Sequence, residues 1–260
     1  MMTWGSELSS IKDYLFAMQE QYADDWIRER LSDYSLNENS EEYQELAEEY
    51  SNYQEYLREE AEWQAELQWL KENGSSKIHS IFVSELDELI SMLESNCNNS
   101  QKMATKLRTN IVVKMSYAYA VTLLEAYLGD TLRALISQDE QLLKNALRKF
   151  KILKNVKLID VAETDLDVKS LVLRHIGEVL YHNIPNVIEM YEQVLGVKLE
   201  IDISKVYKIT KLRHDIVHRN GKTIDGCVIN LDVQDFVQAI SDIKDFTGVL
   251  QRAINGNKTS

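Results

Sequence analysis

The sequence predicts an all-α protein, a helical bundle preceded by an acidic helical hairpin. The 260-residue chain carries one proline and nine glycines, so helix breakers are scarce. Apolar residues recur at three- and four-residue spacing through most segments. Hydrophobic residues make up 44% of the chain, enough to bury a sizeable core in one domain with an appendage, or in two small domains.

"SELSSIKDYLFAMQEQYADDWIRERLSD" places Ile11, Leu15, Met18, Tyr22 and Trp26 at helical spacing. "SLNENS" interrupts it, and Ser40 with Glu42 and Tyr43 forms a helix entry. The next helix carries a Tyr43, Leu46, Tyr50, Tyr53, Leu57 stripe and stops at Asn73-Gly74. "GSSK" at 74–77 is punctuation. It divides residues 1–76, an acidic helical N-terminal region, from residues 77–260, the main helical domain. Beyond it come an amphipathic helix, the loop "CNNSQ", and a long core helix or helix pair beginning at "MATKL". The run "LLKNALRKFKILKNVKL" has six basic residues from Lys144 to Lys157 and no acidic one between them. Two helices follow, parted near Asn183-Ile184-Pro185. Then come the helix "DISKVYKITKLRHDIVHRNG", the loop or short hairpin "KTIDGCVIN", and a last helix opened by an Asp or Asn cap.

Charge is unevenly placed. Residues 1–76 hold 19 Asp and Glu against 5 Lys and Arg, a balance of −14, which leaves +1 for the rest of a chain whose net charge is −13. The acidic third therefore reads as a hairpin with a solvated face, or else as an acidic decoy of nucleic acid. Cys97 and Cys227 lie far apart without metal-like spacing, which favours a reducing compartment. The start "MMTWGSELSS" shows no secretory signal, and no stretch reaches the roughly 18 uncharged apolar residues of a membrane span. A soluble, cytoplasmic protein without a membrane partner is expected.

The chemistry concentrates in "LRHDIVHRNG", residues 212–221. At about 100° per residue, Val206, Ile209, Ile216 and Val217 all lie within roughly 60° of Arg213, so the arginine falls in the middle of the apolar stripe. A guanidinium there needs a carboxylate, a phosphate or a wet cleft. His218 points about 140° away from Arg213 and stands in the last turn, where the helix dipole favours an imidazolium. Asn220-Gly221 is a left-handed stop. One helix cannot aim both side chains at one phosphate, whereas two chains about a two-fold axis bring two pairs around it.

"RHDIVH" followed by "RNG" resembles the signature of the HEPN superfamily. There an arginine, a polar residue (Asn, Asp or His) and three further residues precede a histidine at a helix end. The resemblance covers roughly residues 77–260 in layout and leaves the acidic third outside. It implies a HEPN-like fold and a metal-independent endoribonuclease that acts as a homodimer, in a toxin or anti-phage defence role, with an antitoxin or other protein as partner. By the same resemblance Arg213 holds the scissile phosphate, His218 moves the proton, His214 orients, and Glu125 on the long helix positions Arg213. Arg219 and Lys222, with Lys144, Arg148, Lys149, Lys151 and Lys154 of the basic run, would hold neighbouring RNA phosphates. No cofactor is implied.

Other readings compete. Arg213 pairs with a core carboxylate such as Glu125, and His218 is only a helix-end histidine; the protein is then a non-enzymatic interaction module. His214 and His218 have the i, i+4 spacing of a metal pair, but no adjacent Glu completes the helical zinc motif; a metal-dependent hydrolase is the third option. His175 and His182 stand seven apart, a spacing that suits one helix face, and read as edge histidines. The basic run is equally a solvated helix face. No Gly-rich phosphate loop and no Gly-x-Ser-x-Gly elbow is present.

Overall fold

A computed structural model describes residues 4–97, 103–151, 153 and 167–257. The described residues form nine helices: α1 Trp4–Arg28, α2 Glu41–Glu72, α3 Ser75–Cys97, α4 Met103–Gln138, α5 Glu140–Lys149, α6 Val168–Gly177, α7 Ile184–Leu195, α8 Ser204–His218 and α9 Val233–Asn257. Among these residues β-pairing amounts to one isolated antiparallel bridge, Lys222 to Val228. The all-α expectation holds, and the long helix is one uninterrupted element.

The chain divides into two compact units, the first ending at Gln68 and the second starting at Trp69. The division falls inside α2, eight residues before the expected boundary at residue 76, because α2 runs on to Glu72 and fully buries Leu70.

The first unit is the acidic hairpin. Its turn is tied by short bonds: the Ser32 backbone N–H and hydroxyl donate to the Glu42 carboxylate at 2.7 and 2.6 Å, and Ser40 Oγ accepts from the Tyr43 N–H at 3.4 Å. The Ser32 hydroxyl holds Glu42 below the usual carboxylate range. Trp26 meets Tyr50 with ring centroids 5.3 Å apart, and Tyr43 Oη donates to Asp24 at 2.9 Å. Farther along, every residue of α2 from Ser51 to Glu59 is exposed, Tyr53, Tyr56 and Leu57 among them.

The second unit is built around α4, which packs against α3, α5, α6, α7, α8 and α9. Its inward face supplies Val113, Tyr117, Val121, Leu124, Leu128 and Leu132, all buried. Removing one such leucine to alanine costs about 2–5 kcal/mol. Two buried tyrosine hydroxyls find backbone acceptors: Tyr191 donates to the Leu128 carbonyl at 2.7 Å and Tyr181 to that of Ile176 at 3.0 Å. Gly129 lets the Tyr181 ring approach, for a Cβ there would stand 3.1 Å from it.

Local signals set the helix ends. Asp139 accepts from the N–H groups of Gln141 and Leu142 at 2.7 and 3.1 Å to start α5. Asp167 accepts from Ser170 at 2.6 Å to start α6. Asn183 caps α7, which Gly196 ends at φ 75°. Asp232 and Asp235 exchange backbone-to-carboxylate bonds at 2.8 and 3.0 Å, a reciprocal cap that opens α9. His175 and His182 do not share the helix face that their spacing allows, because α6 ends at Gly177. His175 Nδ1 instead lies 2.8 Å from the Leu171 carbonyl oxygen.

Candidate functional site

The motif helix α8 packs against α4, α7 and α9. Val206, Ile209 and Thr210 are buried, so the first half of its apolar stripe behaves as the sequence predicts. The second half does not. Ile216 is only half-buried and Val217 is 47% exposed, because this end of α8 borders an open groove of about 1250 Å³. Ile111, Lys114, Met115 and Ala118 of α4 line one side of it, and Val217, Gly221 and Val228 another.

The helix end has the expected stop. Asn220 and Gly221 both adopt left-handed φ, 53° and 70°. The Gly221 N–H donates back to the Ile216 carbonyl at 3.1 Å, a six-residue closure that satisfies a terminal carbonyl. A Cβ on Gly221 would stand 2.9 Å from Lys114 Nζ, which the flexible lysine end can yield, so it is the left-handed φ that favours glycine here. The chain then makes a miniature hairpin: Thr223 N–H donates to the Cys227 carbonyl at 2.9 Å, and Ile229 N–H to that of Gly221 at 2.9 Å.

Arg213 is half-buried. Its Nε is fully buried and meets no hydrogen-bond acceptor, and no ion pair joins Arg213 to Glu125 among the described residues. His214 and His218 are exposed on the adjoining face, one turn apart, with ring centroids 4.7 Å apart and planes tilted by 43°. Among the described residues no third His, Cys, Asp or Glu joins them in a group able to hold a metal ion. Arg219 is committed to Asp215 at 2.9 Å, which offsets its charge. Lys222 is exposed at the base of the small hairpin.

Glu125 is half-buried on α4, and its Oε1 is buried without a donor. It lines a recess of about 350 Å³ with Thr122, Ala126, Arg133 and His182, where Arg133 is bound to Asp130 at 2.7 Å. The basic run lies on a different part of the second unit. Lys144, Arg148 and Lys149 belong to α5, which packs on α4 and α7. Lys144 is paired with Glu140 at 2.8 Å, Arg148 and Lys149 are exposed, and Lys151 lines a recess with His182 and Asn186. Lys154 lies outside the described residues.

The structure thus gathers Arg213, His214, His218, Arg219 and Lys222 at one helix end, whereas Glu125 lines a recess to which none of them contributes. Sequence reasoning missed the groove and the outward face of α4 that runs into it. A signal existed: "IVVKMSYAYAVTLLEAYL" is apolar nearly all round, and a helix of that kind demands cover on every side. Comparison of the chain with family models, with curated proteins and with solved structures finds no match.

Proposed function

We propose that the protein is a HEPN-type endoribonuclease that acts as a homodimer on RNA, in a toxin or defence role. The observation that carries this reading is Arg213: a half-buried guanidinium whose Nε meets no protein acceptor, one residue from a pair of exposed histidines. A planar cation held without a carboxylate is prepared for a phosphate.

The proposed reaction is internal transesterification. One histidine, His218, removes the proton from an RNA 2′-hydroxyl. The 2′-oxygen attacks the adjacent phosphorus, the bond from phosphorus to the 5′-oxygen breaks, and that oxygen leaves with a proton from a second imidazole. The products are a 2′,3′-cyclic phosphate and a 5′-hydroxyl. Arg213 offsets the charge that grows on the phosphoryl oxygens. His214, 4.7 Å from His218 between ring centroids, orients its neighbour or supplies the second imidazole. Exposed Lys222, Arg148 and Lys149 serve phosphates farther along the strand.

A second role attaches to the acidic unit. Tyr14, Leu15 and Phe16 of α1 and Tyr53, Tyr56 and Leu57 of α2 stand exposed among carboxylates. This favours a protein partner with a basic, apolar surface, such as an antidote. Cleavage of total RNA in EDTA by wild type and by His218→Ala separates an enzyme from a purely interacting protein: the enzyme cuts and the variant does not.

A further inference from the structure

From Ile111 to Ala126, α4 presents an outward face without a charge. Ile111, Val112, Met115, Tyr119, Thr122 and Ala126 are exposed, with Ile111 at 51%, Met115 at 68% and Tyr119 at 54%. They recur every three or four residues over about 24 Å of helix, the spacing by which one helix seats another. Among the described residues of the second unit, these side chains stand open.

The stripe is graded in size. Its N-terminal end carries Ile111 and Met115, its middle Tyr119, and its far end Thr122 and Ala126. A helix that fits it must run antiparallel with the reverse gradient, and α4 turned end for end carries that gradient. With a two-fold axis through Tyr119, Met115 meets Thr122 and Ile111 meets Ala126, large against small, while Tyr119 meets itself. Charge agrees with size. Lys114 and Glu125 lie on one flank of the stripe, about 20° apart in helical phase. Each is half-buried, and neither enters an ion pair among the described residues. The same two-fold keeps the flank and exchanges the ends, so Lys114 of one copy comes opposite Glu125 of the other.

We infer that the outward face of α4 is the seam of an isologous homodimer, with two α4 helices antiparallel about Tyr119 and Lys114 of each copy paired with Glu125 of the other. This deepens the homodimer reading above and needs nothing from the nuclease chemistry.

The test is sedimentation velocity on the full chain. Wild type sediments as a dimer at micromolar concentration. Met115→Glu and Tyr119→Glu, at exposed positions, leave helical circular dichroism unchanged and give monomers. Lys114→Glu and Glu125→Lys each weaken dimerisation about tenfold or more, and the double reversal recovers most of that loss. Tyr119→Cys, in a background without Cys97 and Cys227, forms an interchain disulfide on oxidation. A monomeric wild type overturns the seam, and so does a dimer indifferent to both glutamate variants. So too does a monomer that floats with phosphatidylcholine–phosphatidylglycerol vesicles until Met115→Glu releases it, since α4 also has the length and apolar composition to enter a bilayer. A dimer split by Met115→Glu supports the seam even if no RNA is cut. RNA cleavage by a dimer that both variants leave intact overturns the seam and spares the nuclease reading.

Discussion

Replacing Arg213 by alanine distinguishes a phosphate-holding arginine from a structural one, because the two differ in what they leave behind. If Arg213 belonged to a buried ion pair, its removal would strand a carboxylate and cost about 3–5 kcal/mol. The structure shows no such pair: Arg213 is half-buried and its buried Nε has no acceptor. What alanine loses is the packing of the side-chain stem. Alanine keeps Cβ, so two methylenes at about 0.8 kcal/mol each when fully buried, taken at half burial, give roughly 1 kcal/mol. For a protein of this size that lowers the melting temperature by roughly 2–4 °C. Cleavage falls far more, by about 100- to 1000-fold, the usual consequence of deleting one group that stabilises transition-state charge. The checks are a thermal melt and single-turnover cleavage of one RNA by both proteins. A stability loss above about 3 kcal/mol would show that Arg213 serves a buried carboxylate, and unchanged cleavage would remove it from the reaction.

Three further outcomes are expected. Gly221→Ala forces a side chain into left-handed φ of 70° and against Lys114 Nζ; it should destabilise the turn by about 1–2 kcal/mol, read as a lower urea midpoint at unchanged slope, and a neutral substitution would refute the tight stop after α8. Arg148→Ala with Lys149→Ala, both exposed on α5, should weaken RNA binding and flatten its logarithmic salt dependence by roughly 0.7 for each RNA phosphate no longer neutralised; an unchanged salt slope in filter binding means this face is only solvated. The Ser170 N–H holds the Asp167 carboxyl below its usual range, so its stabilising contribution is full above about pH 4 and fades as the pH falls through the lowered value. Asp167→Asn, which still caps, should reduce the loss of urea resistance between neutral and acid pH, and an identical pH dependence would show that the carboxylate charge contributes nothing there.

Much of this molecule is legible in its sequence because its signals are local. The Asn220-Gly221 stop needs only left-handed residues after an apolar stripe, and both adopt positive φ. Ser40, Asn183 and Asp232 announce helix starts through side chains that bond nearby N–H groups, and each does so. What escaped depends on neighbours that only the fold supplies. The spacing around Arg213 identifies the apolar stripe, of which Val206 and Ile209 are buried, but burial also requires something to cover it, and at the other end Ile216 is only half-buried and Val217 is exposed. Periodicity likewise could not tell that α4, apolar on both sides, buries Val113, Val121 and Leu128 and leaves Ile111 and Met115 exposed. A run of Gly and Ser marks a chain reversal, whereas compactness follows packing, and Leu70 is already buried before the run begins. The basic run reads as one track in sequence, yet helical geometry commits Lys144 to Glu140 and leaves Arg148 and Lys149 facing solvent.

The most direct measurement maps the cut ends of RNA incubated with the purified chain in EDTA, for wild type and for His218→Ala of matched helicity. Transesterification by His218 and Arg213 predicts fragments ending in 2′,3′-cyclic phosphate and beginning with 5′-hydroxyl from the wild type, and none from the variant. Intact RNA with wild type, or the same fragments from His218→Ala, would contradict it.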